Sequence, residues 1–228
     1  MEYSKFAKYY DIFYKNKKDE EEVSFINNII EDKIKTILDI GSGTGIHASM
    51  LEKLGYAVDL VDLSQEMLEI AKQRTTGKIY NQDLLKLDIK KKYDVIISMF
   101  AVINHLKDID QLEKALINMK NQLNQNGKLI IDLHNPQSSG EKSDMVDNIK
   151  RTMKWDYDDV TWVETSQIIY EINNETYTDN HIFKIFTIDE FKVICSKIDL
   201  KVLNVFENYT FEDATQASKN IQFVITKM

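Results

Sequence analysis

The sequence contains very little cysteine and no long hydrophobic run. Cys195 is the single cysteine among 228 residues, so the chain cannot form an internal disulfide. No apolar run is long enough to cross a bilayer, and the opening residues 1–5 lack the apolar core of a signal peptide. We therefore expect a cytoplasmic protein that makes no membrane contact.

Positive charge and clustered metal ligands are also scarce. The formal net charge is −8 and the pI is about 5.1, whereas a protein that binds duplex DNA needs a basic face. The four histidines are scattered along the chain, and no cysteine spacing indicates a metal site. We expect no nucleic-acid partner and no metal, and a single domain that is a monomer or a homodimer.

One short stretch holds three of the seven glycines. Residues 37–40 form an apolar run typical of a buried strand, Gly41, Gly43 and Gly45 follow at alternate positions, and residues 46–54 favour a helix. Glycines allow a tight turn and a close approach of the backbone to a ligand, near the free N–H groups at a helix start. This pattern predicts a nucleotide-like binding site.

Strand and helix patterns alternate on both sides of this stretch, which predicts an α/β fold with a doubly wound parallel sheet and right-handed crossovers. The last two strands are expected to form an antiparallel pair at the sheet edge. The strands predicted after the glycines cover residues 57–61, 78–80, 93–100, 128–133, 201–206 and 222–226.

Two segments lie outside this alternation. Residues 1–34 are predicted to form a helical cap with an aromatic stripe of Tyr3, Phe6, Tyr10 and Phe13. Residues 137–186 are predicted to form an inserted β lid over the acceptor site: 161–172 and 177–185 alternate polar and apolar residues, whereas 137–151 are polar and weakly periodic. Ser64 and Asp108 are predicted to cap two helices of the main fold. After the lid, a capping box at 187–190 predicts a helix that buries Cys195.

The chemistry around the glycines favours a cationic nucleoside. The third glycine of the dinucleotide fingerprint would fall one place later, at Ile46. Asp39, directly before the glycines, disfavours a phosphate and suits a cation. Asp62, at the end of the second strand, is positioned for ribose hydroxyls, and Asp83 for an adenine amino group.

These motifs resemble those of class I S-adenosylmethionine-dependent methyltransferases: 38–45 the first motif, 62–68 the acidic motif after the second strand, and 81–83 the adenine loop. The resemblance implies a Rossmann-like fold, with a mostly parallel seven-stranded sheet and an antiparallel edge strand. It implies S-adenosyl-L-methionine as cofactor and S-adenosyl-L-homocysteine as product. The residues assigned to the cofactor site are Tyr14, Lys17, Asp39, Gly41, Ser42, Gly43, Asp62, Leu63, Met67, Asp83, Leu84 and Met99.

Other stretches resemble one subfamily, the nucleotide-linked aminosugar N,N-dimethyltransferases. Residues 10–14 match its aromatic N-terminal motif, and residues 98–100 and 178–181 match two later segments. The resemblance implies methyl transfer to an amine of a small molecule. The acidic run 20–22 and residues 134–136 depart from the subfamily pattern, so whether the acceptor carries a nucleotide stays open.

Three residues are candidate catalytic groups. An in-line methyl transfer depends mostly on orientation, which can supply about 7–11 kcal/mol, whereas a general base contributes about 10²–10⁴-fold. Tyr14 can position an amine, His181 can accept a proton near neutral pH, and His134 follows a strand where α/β sheets bind ligands. Alternatively, Tyr14 only packs in its stripe and His181 alternates on an exposed strand face. His47 and His105 are interpreted as structural.

Three alternative functions stay open. A small-molecule O-methyltransferase would share the cofactor site, but its acceptor would depend more on a base. A binding protein could keep the cofactor site without catalysis. A nicotinamide-dependent oxidoreductase would share the sheet, although the position of the third glycine disfavours it.

Overall fold

The computed structural model describes residues 7–15, 17–30, 36–146, 149–172 and 175–228. The helices in these residues are α1 (Ala7–Phe13), α2 (Asp19–Ile29), α3 (Ile46–Lys53), α4 (Gln65–Ala71), α5 (Ile109–Gln122) and α6 (Ile188–Lys197). The strands are β1 (Thr36–Ile40), β2 (Ala57–Asp62), β3 (Ile79–Asn81), β4 (Tyr93–Ser98), β5 (Leu123–His134), β6 (Gly140–Val146), β7 (Ile149–Asp158), β8 (Val163–Ile172), β9 (Glu175–Lys184), β10 (Leu200–Glu207) and β11 (Asn220–Lys227).

Seven strands form the main sheet in the order β10-β11-β5-β4-β1-β2-β3. Strands β1 to β5 are parallel, whereas β11 runs antiparallel to both β5 and β10. This topology confirms the predicted fold class, including the antiparallel pair at the edge. Because the strand order reverses between β1 and β4, a ligand crevice is expected at the carboxyl ends of these two strands.

The predicted helix starts are confirmed by their caps. The side chains of Ser64, Asp108 and Thr187 accept hydrogen bonds from backbone N–H groups in the first turns of α4, α5 and α6. At α6 the capping box is complete, because Glu190 also accepts from the Thr187 backbone N–H. Cys195 is fully buried on α6, and burial raises the pKa of its thiol to about 12.

A second sheet, of antiparallel strands β6-β7-β8-β9, lies between β5 and α6 in the chain. Strands β8 and β9 match the predicted alternation. Strands β6 and β7 lie partly within residues 137–151, which we interpreted as polar and weakly periodic. The reason for this miss is that β6 exposes polar side chains on both faces, so that its sequence shows no clear apolar period.

The register of the second sheet places one row of side chains against the rest of the protein. Tyr170 pairs with Tyr177, and Ile168 with Asp179. Asp179 and His181 are both buried, whereas their neighbours on the opposite face are exposed. We call the buried side of β8 and β9 the inner face. Helix α1 packs on this face, with the Phe13 ring stacked 3.9 Å from the Tyr170 ring.

Two further findings concern the predicted aromatic stripe and the length of the helices. Tyr3 and Phe6 of the predicted aromatic stripe lie outside the described residues. None of the helices described is long and apolar enough to cross a membrane.

Candidate functional site

The glycine turn leaves open space at the carboxyl end of β1. Gly41 has φ +72°, and a Cβ atom there would lie 2.3 Å from a methyl carbon of Val102, so a side chain does not fit. Gly43 has φ +53° and no atom within 4 Å of such a Cβ. A ligand can therefore approach the backbone at Gly43, while Val102 closes the turn at Gly41.

The two acids predicted for ribose and adenine are held at the same sheet edge. Asp62 accepts hydrogen bonds from the N–H groups of Gly43 and Ser64, both at 2.8 Å. Its carboxylate has further lone pairs for ligand hydroxyls. Asp83 accepts from Leu85 N at 2.8 Å and so caps the short 3₁₀ helix Leu84–Lys86. Local turns thus fix both side chains before any ligand binds.

Asp39 is a buried acid without full hydrogen bonding. The residue is 2% exposed, and its Oδ2 atom has no hydrogen-bond partner. Burial raises the pKa of Asp39 to about 6, against the lowering effect of His47, and the charge of Asp62 raises it further. The Ser42 hydroxyl, three residues further along the chain, is also buried without a partner. A cationic or hydrogen-bonding ligand group would satisfy these atoms.

The Lys17 ammonium is surrounded by two acidic side chains and the His47 imidazole, near the glycine turn. Its Nζ atom is 2.7 Å from Asp19 Oδ1, 2.5 Å from Glu22 Oε2 and 3.4 Å from His47 Nε2. The sequence suggested no metal cluster, yet Asp19, Glu22 and His47 bring ligand atoms within 4.8 Å of one another. In this structure the ammonium of Lys17 balances their charge. Its predicted cofactor contact stays a prediction.

Helix α1 is tied to the glycine turn. Asp11 accepts hydrogen bonds from Thr44 Oγ1 at 2.5 Å and from Arg74 Nη2 at 2.6 Å. These contacts join the N-terminal helix to the turn and to the segment after α4. The same helix packs on the inner face of the second sheet through Phe13, so that α1 bridges the turn and that sheet.

The segment after β4 has a strained backbone. Phe100 and Ala101 have φ values of 65° and 59°, a region that side chains rarely adopt. Asp132, which is buried on β5, accepts from Phe100 N at 2.8 Å and from Ala101 N at 2.7 Å. Tyr209 donates its hydroxyl hydrogen bond to the same carboxylate. These bonds hold the strained segment beside the glycine turn.

Tyr14 connects this segment to the second sheet. Its ring packs edge-on against the Phe100 ring at 5.2 Å between centroids. Burial raises the pKa of the Tyr14 hydroxyl, and a hydrogen bond with Tyr170 and the charge of Arg151 oppose that rise. Tyr14 is therefore a neutral hydroxyl at physiological pH, suited to orient a polar group.

His181 lies on the inner face among aromatic rings. Its ring stacks on Phe183 at 5.5 Å and lies 5.9 Å from the His105 ring. Its Nε2 atom is 3.0 Å from Asp179 Oδ2, an ion pair when the imidazole is protonated, but neither ring nitrogen has a hydrogen bond of good geometry. The interpretation of His181 as part of an exposed strand face is wrong, because the residue is 7% exposed.

His134 and His105 complete a group of three histidines around Phe183. The His134 and His105 rings lie 6.0 Å and 4.7 Å from the Phe183 ring. His134 Nε2 is 3.0 Å from Glu164 Oε2 on β8. Burial, with the nearby His181, lowers the pKa of His105 to about 4, so that its imidazole is neutral at pH 7. His105 is therefore a half-buried, neutral imidazole beside the predicted base, although we interpreted it as structural.

The remaining predicted cofactor residues differ in exposure. Leu63 is 73% exposed at the sheet edge, where an exposed leucine can lie against a ligand. Met67 and Met99 are 2% and 3% exposed and pack in the core, and Leu84 packs partly against it. The Met67 and Met99 side chains are therefore almost inaccessible, and their predicted cofactor contact stays a prediction.

The sequence interpretation missed Asp179, Glu164 and Asp132. For Asp179 a signal existed: it shares strand parity with Tyr177, His181 and Phe183, and large aromatic residues mark the buried face of a strand. Glu164 and Asp132 gave no such signal, since a lone acid within a strand pattern is usually solvent-exposed.

The described residues fit the cofactor that the resemblance implies. The unpartnered Asp39 oxygen suits a cation, the open backbone at Gly43 allows close approach, and Asp62 can accept from ribose hydroxyls. Two basic side chains lie near the glycine turn, and both are paired with acids: Arg74 donates to Thr44 Oγ1 at 3.4 Å and to Asp11 at 2.6 Å, and Lys17 is held by Asp19 and Glu22.

Comparisons with known proteins agree with this fit. Residues 37–127 match the family model described as a methyltransferase domain. An S-adenosylmethionine-dependent methyltransferase from Clostridium acetobutylicum has the same fold, with a TM-score of 0.85 and 20% identity over 99% of this chain and 98% of that one. The match of residues 37–127 to the methyltransferase model favours a methyltransferase over the nicotinamide-dependent oxidoreductase.

Two curated relatives carry more specific names. The dTDP-3-amino-3,4,6-trideoxy-alpha-D-glucopyranose N,N-dimethyltransferase of Streptomyces venezuelae is 26% identical over 55% of this chain and 56% of its own length. The glycine/sarcosine/dimethylglycine N-methyltransferase of Actinopolyspora halophila is 31% identical over 56% of this chain and 24% of its own. The chain spans about half the length of the curated relatives it matches first.

Proposed function

We propose that this chain is an S-adenosylmethionine-dependent methyltransferase that methylates the nitrogen of a small-molecule amine; the match of residues 37–127 to a methyltransferase domain and the shared fold support the proposal. The two relatives described above are both named as N-methyltransferases. The proposal is supported most by one segment, residues 99–106, which borders both the glycine turn and the buried histidine.

We call residues 99–106 the shared wall, because this segment contacts both the glycine turn and the inner face. Val102 closes the turn at Gly41, Phe100 packs on Tyr14, and the His105 ring lies beside the His181 ring. A cofactor bound at the glycine turn and an acceptor bound at the inner face would therefore lie close to each other, because both would contact this one short segment. Such proximity is what an in-line transfer requires, since orientation supplies most of its acceleration.

The cofactor would be held by Asp39, Gly43 and Asp62. Asp39 would face its cationic part, and Asp62 its ribose hydroxyls. When bound, S-adenosylmethionine supplies an electrophilic methyl group on a sulfonium. The rings of Phe100 and Phe183 line the two ends of the shared wall, and apolar rings there would exclude water from the reacting atoms.

The acceptor side needs a proton acceptor and an orienting group. An amine enters as an ammonium ion and gives one proton to the imidazole of His181. The freed nitrogen lone pair would be available to attack the electrophilic methyl carbon of bound S-adenosylmethionine, and the electron pair of the broken carbon–sulfur bond would stay on sulfur. His181 then releases its proton to water, with the Asp179 carboxylate 3.0 Å away to stabilise the imidazolium in between. The Tyr14 hydroxyl would orient the nitrogen.

An amine suits these groups better than an alcohol. An ammonium has a pKa near 10 in model compounds, within reach of a nearby imidazole paired with a carboxylate, whereas an alcohol holds its proton far more tightly. The predicted base at His181 has an acid partner in Asp179. The described groups therefore favour nitrogen over oxygen as the methyl acceptor.

The test measures release of S-adenosylhomocysteine with paired acceptors that differ only in an amino or hydroxyl group. We expect turnover with the amines, and a fall in kcat of about 10²-fold in His181→Gln with the cofactor Kd unchanged. The matched control is Asn180→Ala, on the exposed face of the same strand, which should keep full activity. Faster turnover of hydroxyl acceptors, or an active His181→Gln variant, would contradict the proposal.

A further inference from the structure

The inner face of β9 combines an acid with aromatic rings. Asp179 is 8% exposed and shares this face with His181, two positions away. Its negative charge is close enough to raise the pKa of both Tyr14 and Tyr170. A carboxylate bordered by aromatic rings is the usual protein arrangement for binding an organic cation.

The ring nitrogens of His181 point to a ligand at the same place. Both are buried and lack a hydrogen bond of good geometry. A buried polar atom without a partner is costly, about 1–3 kcal/mol, and a native protein tolerates it mainly where a ligand or water completes the bond. The row Asp179–His181 therefore has the capacity to bind a group that donates N–H bonds.

The nearest arginine has little capacity for a phosphate. Arg151 donates to both oxygens of Asp144 at 2.9 Å and 2.6 Å, and to Phe13 O at 2.9 Å. Its side chain is 12% exposed, and the hydrogen bonds to Asp144 raise its pKa. The bidentate face that would recognise a diphosphate is thus already filled by a carboxylate.

Other basic side chains near the site also have partners. Lys17 is held by Asp19 and Glu22. On the described strands of the second sheet, each lysine has an acidic or carbonyl partner: Lys142 with Asp144, Lys150 with Glu171, Lys154 with Glu141 and Lys184 with Thr161 O. The same sheet also contains two buried acids, Asp179 and Glu164.

From this balance we infer that the acceptor is a small amine without a phosphate group, and that Asp179 binds its ammonium. The inference rests on the proposed N-methylation and narrows it. A nucleotide diphosphate would bring two or more negative charges to a face that holds buried carboxylates and, in its described part, only basic side chains that already have a hydrogen-bond or ion-pair partner. A free amine or aminosugar instead brings a positive charge to Asp179.

The first experiment uses radiolabelled methyl donor and amines offered in matched pairs, each with and without phosphate. One pair is a free 3-amino sugar and its thymidine diphosphate-linked form, and another is ethanolamine and phosphoethanolamine; sarcosine serves as a further phosphate-free amine. We expect label in phosphate-free products. We also expect thymidine diphosphate alone to leave their rates unchanged.

Two results would overturn the inference: preferential labelling of the phosphate-bearing partner, or competitive inhibition by thymidine diphosphate. Calorimetric titration with S-adenosylhomocysteine separates this failure from that of the proposed function. If the cofactor product binds and phosphate-bearing amines are methylated, N-methylation stands and only the acceptor class is wrong. If it binds and no amine is labelled, the proposed function is wrong and this inference falls with it.

The second experiment concerns Asp179 itself. Asp179→Asn should raise the KM for the amine about tenfold or more and leave the cofactor Kd within about twofold. Glu171→Gln, an acid on the exposed face of the same sheet, is the matched control and should change neither. Thermal unfolding checks that the variants are folded, and Asp179→Glu, which keeps the charge, should recover part of the affinity. An unchanged KM in folded Asp179→Asn would contradict the assigned role.

Discussion

The Tyr209 hydroxyl donates a hydrogen bond to Asp132, 77 residues away in the chain, and the same buried carboxylate accepts from Phe100 N and Ala101 N. Tyr209 lies between β10 and β11, and Asp132 lies on β5. A contact at the end of the chain thus helps to hold the strained segment that borders the glycine turn. This relationship makes the position of Phe100 dependent on Tyr209.

Tyr209→Phe tests that dependence. The variant leaves one buried carboxylate oxygen short of a donor, which costs about 1–3 kcal/mol of unfolding free energy. Because Phe100 packs on Tyr14, we expect kcat to fall more than cofactor affinity does. Thermal unfolding and steady-state kinetics measure the two effects. The control is Tyr157→Phe, on an exposed part of β7, and a kcat equal to that of the wild type in Tyr209→Phe would remove the proposed link.

Asp39→Asn should stabilise the ligand-free protein while weakening cofactor binding. The pKa of Asp39 is raised to about 6, roughly two units above its ordinary value, so ionising the folded carboxyl costs up to about 3 kcal/mol. This cost is fully present above pH 6 and vanishes as pH falls below the unfolded pKa near 4. The gain in unfolding free energy should therefore be large at pH 8 and small at pH 4, as measured by denaturant unfolding. A destabilised variant at pH 8 would contradict the assignment.

Cofactor affinity should depend on pH through the same residue. Below about pH 6 Asp39 becomes protonated and no longer attracts a cation, so the Kd for S-adenosylmethionine should rise as pH falls through that range, by up to about tenfold per unit. Calorimetry between pH 5 and 8 measures the trend and the accompanying proton release. In Asp39→Asn the trend should shrink to the part contributed by Asp62. A Kd that is constant over this range in the wild type would show that Asp39 does not bind the cation.

Local patterns in the sequence predicted much of the fold and the cofactor side of the site. The glycine turn, the acid at Asp62 and the helix caps at Ser64, Asp108 and Thr187 each depend on residues within a few positions of one another, so spacing alone indicates them. The alternation of β8 and β9 likewise predicted two antiparallel strands.

The acceptor side was harder to predict because it depends on contacts between distant segments. His105, His134 and His181 come from three elements and meet only around Phe183. Asp132 accepts a hydrogen bond from the backbone N–H of Phe100, which lies 32 residues earlier in the chain. Neither contact follows from periodicity, and His105 was consequently interpreted as structural.

The central claim is that the glycine turn and Asp62 bind S-adenosylmethionine, and calorimetric titration of the wild type and Asp62→Asn tests it most directly. Asp88→Asn, an acid exposed beyond β3, serves as the control. The account predicts saturable binding of S-adenosylmethionine by the wild type and Asp88→Asn, and a loss of affinity of about tenfold or more in Asp62→Asn, since a charged hydrogen-bond acceptor contributes about 1.5–3 kcal/mol. Equal affinity in all three proteins, or no binding by the wild type, would contradict it.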